Sequence, residues 1–218
     1  MSTEQNPKPS RRPRPRLESL SDLIYGLSLS IGAISLVITN SQSSSPSDIN
    51  RNILEFLFVF LILITSWIIY TSDMSVLPVQ TRLVTFLNVL LLIFVAIMPY
   101  LFDQVVSIHN ERPVQDYASV LFTIDYAGSL LIMSGFAHII AQEEMKLVDG
   151  EVMVRFRQTR DILAFLALVV SLSLVAPWGL ALAGVQVRLL IWYFPIFMFW
   201  FNRLRRPTFV YSSSTHHE

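Results

Sequence analysis

Six long apolar blocks, at about 21–40, 53–71, 83–102, 117–141, 161–178 and 185–202, constrain this 218-residue chain more than any motif in it. A helix rising about 1.5 Å per residue needs about 20 mostly apolar residues to cross about 30 Å of hydrocarbon. Each block approaches that length, so the sequence predicts an all-α membrane protein with six transmembrane helices. Hydrophobic residues make up 53% of the chain and charged residues only 15%, and no polar stretch is long enough to fold as a separate soluble domain. The first block is too long for the core of a signal peptide, and Ile38-Thr39-Asn40 offers no small-residue cleavage site.

Orientation follows from the basic residues, which accumulate on the cytoplasmic side. With the N-terminus inside, thirteen of the 16 Lys and Arg residues fall in inner segments. They are Lys8, Arg11, Arg12, Arg14, Arg16, Arg82, Lys146, Arg155, Arg157, Arg160, Arg203, Arg205 and Arg206. Outer loops would hold only Arg51, Arg112 and Arg188. Both termini are therefore expected in the cytoplasm. Three parts follow: a disordered basic arm over 1–15, a six-helix transmembrane domain over 16–206, and a polar tail over 207–218. The arm interleaves Pro7, Pro9, Pro13 and Pro15 with arginines and cannot bury enough apolar surface to fold.

Several chemistries are excluded. There is no cysteine, hence no disulfide, thiolate metal site or cysteine nucleophile. No His/Glu metal spacing, nucleophile elbow or phosphate loop is present, and His216-His217 stands isolated in the tail. An enzyme, a cofactor and a nucleic-acid partner are not expected.

Attention therefore falls on Arg16-Leu-Glu-Ser-Leu-Ser-Asp22, where the basic arm enters the first apolar block. Ionisable residues at the mouth of a membrane helix are costly to keep. A structural explanation exists, since Ser19 and Asp22 have capping-box spacing before an apolar run. It leaves the downstream pattern unexplained. The block mixes large aliphatics with Gly26, Ser28, Ser30, Gly32 and Ser35, a composition suited to lining or packing a bundle. At about 100° per residue from Leu27, Ile31 falls near 40° and Ile34 near 340°, so the three share one face. Ser30 falls at about 300°, on the edge of that face, and Asp22 at about 220°, pointing elsewhere.

Two later stretches complete a pattern: Trp67-Ile-Ile-Tyr70-Thr71, and Phe86-Leu-Asn88 running through leucines to Pro99-Tyr100. With them the chain resembles the endosomal and lysosomal potassium channels of the transmembrane protein 175 family, in their shorter prokaryotic form. That family's first-helix signature, Arg-x-x-x-Phe-Ser-Asp, is matched by Arg16, Ser21 and Asp22, with Leu20 replacing phenylalanine. Its second helix carries tryptophan followed by two histidines. Trp67 fits, and Tyr70 and Thr71 replace the histidines. Asn88, Pro99 and Tyr100 match the third-helix pattern. The motifs cover about residues 16–101; beyond them only the helix count agrees.

The resemblance implies a homotetramer whose first helices surround a path for potassium and other monovalent cations. It places large pore-facing aliphatics at Leu27, Ile31 and Ile34, and it puts Ser30 where the family carries a hydroxyl linked to potassium preference. Arg16, Ser21, Asp22 and Trp67 become anchors of that helix, with Asp22 pointing into the surrounding bundle. The expected setting is a multi-pass protein in contact with lipid, in a prokaryotic inner or plasma membrane. The usual Thr-Val-Gly-Tyr-Gly filter is absent, so hydrophobic rings would gate the path. The competing readings are a proton-coupled secondary transporter using intramembrane Asp125, and a non-conducting scaffold. Pairing between helices is the ordinary role for Asp125 and His138. Glu55 is expected to snorkel, and Trp178, Trp192, Tyr193 and Trp200 to form interfacial belts. Blocks five and six, joined near Gly179–Gly184, are expected to form a tight hairpin kinked at Pro177 and Pro195.

Overall fold

A computed structural model describes residues 16–40, 45–77, 81–107, 110–143, 150–177, 179–182 and 185–205. The expected arm over 1–15, the tail with His216 and His217, Lys146, Trp178 and Arg206 lie outside these residues. Six helices carry the described fold: α1 (Arg16–Asn40), α2 (Pro46–Val76), α3 (Arg82–Val106), α4 (Arg112–Glu143), α5 (Gly150–Leu172) and α6 (Val187–Arg205). α2, α3, the Arg112–Gln142 part of α4 and the stretch Met153–Val175 are long and apolar enough to cross a membrane. α1 contributes a shorter apolar stretch, Ser19–Ile34. α6 mixes Leu, Ile and Phe with Trp and Tyr, and the last two favour the membrane interface over hydrocarbon.

Local chemistry sets several boundaries. Ser45 caps α2 by accepting from the Asp48 N–H at 3.3 Å, with Pro46 in the first turn, where its missing N–H costs nothing. Thr81 caps α3 in the same way, accepting from the Val84 N–H at 3.2 Å. The α3–α4 turn is tied by Asn110, which donates to the Gln104 carbonyl at 2.9 Å, and by Gln115, which donates to the Ser107 carbonyl at 2.8 Å. α1 already includes Arg16, so Ser19 and Asp22 lie inside the helix and Ser19 is not the expected cap.

The core is built around α4, whose most apolar stretch is 67% buried, against 28–39% for the other three long spans. α3 and α5 pack along it, and α1 lies against α2 and α3. A run of aromatic rings ties four helices together. Phe58 of α2 meets Phe102 of α3 at 5.0 Å, Phe102 meets Phe122 of α4 at 5.4 Å, and Phe122 meets Trp192 of α6 at 4.6 Å. Each such pair contributes about 0.5–1.5 kcal/mol beyond its buried area. Lipid tails are as apolar as these rings, so tight packing is what favours helix association.

Gly128 shows how close that packing is. A Cβ there would fall inside the van der Waals envelope of the Phe94 ring on α3, whereas Gly135 has ordinary room beside Leu87. Overpacking of this kind costs about 1–3 kcal/mol. Gly128→Ala should therefore lower the thermal midpoint of the purified protein, and Gly135→Ala should change it little. Shortening the ring with Phe94→Leu should recover part of the Gly128→Ala loss. Additive losses in the double variant would show that the two sites do not meet.

The α5–α6 expectation is corrected. α5 packs chiefly on α4, and the two helices are joined by a turn at Ser173–Val175 and a two-residue antiparallel ribbon, with Ala181 opposite Gln186 and Leu182 opposite Val185. Pro177 follows the end of α5 and does not kink it, because a proline just past a helix end stops it; Pro195 does lie inside α6. α5 also starts at Gly150, well before the apolar block at 161, since Arg, Gln and Thr extend a helix without adding to an apolar run. Arg188, expected in a loop, lies instead at the start of α6. It is buried in the first turn of α6, where its Nε donates to the Ala176 carbonyl at 2.7 Å. Its Nη1 donates to Asp116 Oδ1 at 3.0 Å and to Ser119 Oγ. A carbonyl just beyond a helix end lacks an intrahelical donor, and the guanidinium supplies one.

The aromatic-belt expectation also changes. Trp192 is fully buried and donates to Ser173 Oγ at 3.1 Å. Trp200 donates to Thr65 Oγ1 of α2 at 3.2 Å, and Tyr193 packs on Phe58 at 4.2 Å. The indole N–H groups of Trp192 and Trp200 thus find protein partners in place of interfacial water, whereas Tyr193 stays exposed on one side.

Candidate functional site: the two faces of the first helix

α1 has one face tied to its neighbours and one face without a neighbour among the described residues. The tied face carries Ser21, Tyr25 and Ser28, which lie roughly 100–160° round the helix from Leu27. All three are buried. The Ser21 and Tyr70 hydroxyls hydrogen-bond at 2.7 Å, and one turn further along the Tyr25 hydroxyl pairs with Ser66 Oγ at 2.7 Å. Ser66 Oγ in turn donates to the sulfur of Met133 on α4 at 3.7 Å. The Tyr25 and Tyr70 rings sit 5.9 Å apart, and Tyr70 meets Phe136 of α4 edge-on at 6.4 Å. A ladder of hydroxyls therefore holds α1 to α2 with every rung satisfied inside the protein, as apolar surroundings demand.

Asp22 and Trp67 meet at the edge of this ladder. The Trp67 Nε1–H donates to Asp22 Oδ1 at 3.0 Å, joining the first-helix signature to the second-helix signature. Thr71, also on the α2 signature, donates back to the Trp67 carbonyl at 2.9 Å. The α1 backbone includes Arg16, while its side chain lies outside the described positions. On α3, Asn88 and Pro99 are buried and Tyr100 is exposed.

The other face is apolar and open. Leu27 is 58% exposed, Ile31 37% and Ile34 57%, and Leu20 and Leu23 continue the stripe toward the helix start. These side chains cannot pack against α2 or α3 while Ser21, Tyr25 and Ser28 occupy the contact. Ser30 is exposed beside them, and its hydroxyl donates to the Gly26 carbonyl at 2.8 Å. With its hydrogen used inside the helix, Ser30 Oγ presents only lone pairs outward, the arrangement suited to a cation.

The structure thus brings Ser21, Asp22 and Trp67 together at the α1–α2 seam and puts Leu27, Ser30, Ile31 and Ile34 on the open side. Tyr25 and Ser66 were missed as seam residues. Their signal was available, because Ser21, Tyr25 and Ser28 repeat at helical spacing as clearly as the aliphatic stripe does. Which face packs was not. Away from the seam, His138 approaches Arg160 Nη1 at 3.3 Å through Nδ1 and Gln142 Nε2 at 3.0 Å through Nε2. Glu55 pairs with Arg51 at 3.4 Å. No group of three or more metal-ligating side chains occurs among the described residues.

Fold and site together define a helical membrane protein with one polar-anchored and one unpartnered face on its first helix. The chain has the fold of the TMEM175 homologues. It aligns with a lysosomal potassium-selective channel TMEM175 homolog from Chamaesiphon minutus at a TM-score of 0.59 and 14% identity, covering 86% of this chain and 96% of that one. It aligns with a variant of the potassium channel MtTMEM175, solved with a nanobody–MBP fusion, at 0.57 and 14%, covering 92% and 97%. No protein-family model and no curated protein matches the sequence. The likeness read from motifs in residues 16–101 therefore extends, as fold, over most of the chain.

Proposed function

We propose that this chain is a potassium-preferring cation channel of the transmembrane protein 175 type. It assembles as a homotetramer in a cell membrane, with α1 innermost and both termini cytoplasmic. The observation that carries this reading is the contrast between the two faces of α1. A helix pinned by a hydroxyl ladder on one side leaves Leu27, Ile31 and Ile34 exposed among the described residues, and a fourfold axis would give them a common partner. The potassium channels that share the fold supply the ion class. Hydrophobic rings then exclude water when the path is closed, and Ser30 lone pairs face the ion when it is open.

The arrangement is tested by cross-linking, since no native cysteine competes. Ile31→Cys protein should form disulfide-linked dimers on mild oxidation, and a cysteine at the exposed Leu168 of α5, which this arrangement turns away from the axis, should not. Coupling at Leu168 alone would place another helix at the axis. In planar bilayers with potassium on one side and sodium on the other, the reversal potential should favour potassium. Stoichiometric coupled flux without unitary currents would instead identify a transporter.

A further inference from the structure

We propose that Asp125 and Ser129 form a cation-accepting site inside the subunit, separate from the open face of α1, that takes up one proton or one alkali-metal ion. The two residues sit one turn apart on α4, so their Cβ atoms are about 5–6 Å apart on a common face. Asp125 is 5% exposed and Ser129 2%. Asp125 Oδ2 and Ser129 Oγ have no hydrogen-bond partner among the described residues. Ordinary pairing between helices, the expected role of Asp125, is thus not made by this oxygen.

Nor is a protein cation paired with it among the described residues. The described ion pairs join Arg51 with Glu55, Arg160 with Asp161 and Arg188 with Asp116. Arg188 is further committed to the Ala176 carbonyl and Ser119, and Asp116 lies about 13 Å along α4 from Asp125. The packed helices are uncharged over their middles. No charged residue lies between Glu55 and Asp73 on α2, between Arg82 and Asp103 on α3, after Asp161 on α5, or between Arg188 and Arg203 on α6. On α4 itself the other charged or titratable groups are Arg112, Asp116, Tyr117, His138 and Glu143, with Tyr126 beside the site. A carboxylate buried at membrane depth without a cation or a full set of donors is too costly to persist, so the site must take up positive charge from outside the chain. The Ser129 hydroxyl, one turn on, offers that guest a second oxygen.

The test is thermal unfolding of the purified full-length protein, titrated with acid in choline chloride and with KCl or NaCl at fixed pH. A guest that binds the folded state more tightly than the unfolded one raises the midpoint by mass action. If the guest is a proton, the midpoint rises as pH falls in choline medium; if it is an alkali ion, the midpoint rises with that salt and not with choline. Asp125→Asn should remove this component, and Ser129→Ala should shift half-saturation by about tenfold, the loss expected for one hydrogen-bonding ligand. Curves for Asp125→Asn that superimpose on wild type in both titrations would overturn the proposal. Should Asp125→Asn fail to fold, an unshifted half-saturation in Ser129→Ala overturns it equally. Both variants should keep the wild-type reversal potential, and a changed one would put the residues on the conduction path. The thermal titrations do not depend on channel activity, so failure of the channel reading leaves this test intact.

Discussion

Leu27→Ala should carry more current than wild type at equal protein density in liposomes or planar bilayers. Leu27 is the stripe residue nearest Asp22 among the three assigned to the path, and four leucines around an axis can close a narrow passage to water. An ion cannot cross a dry constriction without losing hydration that nothing there replaces. Alanine widens the ring and lets water stay. If the closed state is favoured in wild type, a gain of about 1.4 kcal/mol for the open state raises open probability about tenfold. Ile34→Ala should have a smaller effect. Ser30→Ala should lower potassium preference with little change in current, because it removes outward lone pairs while nearly keeping side-chain volume. Equal currents from Leu27→Ala and wild type, together with an unchanged reversal potential in Ser30→Ala, would place the path away from α1.

The seam between α1 and α2 should be as sensitive, in stability rather than selectivity. A hydrogen bond to a charged acceptor contributes about 1.5–3 kcal/mol. Asp22→Ala and Trp67→Phe each remove the 3.0 Å indole–carboxylate bond, so each should lower the thermal midpoint and weaken the assembled oligomer. Their effects should be strongly non-additive, since the second change removes a bond already lost. Asp22→Asn keeps an acceptor oxygen and should lose less. The potassium-to-sodium ratio should stay near wild type throughout. A shifted ratio with an unchanged midpoint would move Asp22 from the seam to the ion path.

Tyr70 makes the same point about the seam from the other side. Tyr70 and Thr71 stand where the family resemblance led one to expect histidines. Tyr70 nevertheless bonds Ser21, while Thr71 bonds back into its own helix.

Much of this protein is determined by local sequence. Apolar length dictated the helices, because a backbone in lipid must satisfy its hydrogen bonds within the segment. Helical periodicity alone put Leu27, Ile31 and Ile34 on one face and Asp22 on another. Periodicity has no means of saying which of two faces of α1 packs, since serines and tyrosine can bury as well as aliphatics once hydroxyls pair across helices. Only the tertiary structure decided that Ser21, Tyr25 and Ser28 face inward. The same limit explains α5 and α6. Short sequence separation favoured a hairpin, whereas the close fit along α4 and the buried Arg188 at the Ala176 carbonyl drew α5 onto α4 and α6 into the aromatic core. Apolar runs reflect transfer energies of single residues. Partners are set by complementary surfaces and by polar atoms that find one another only after the chain has folded.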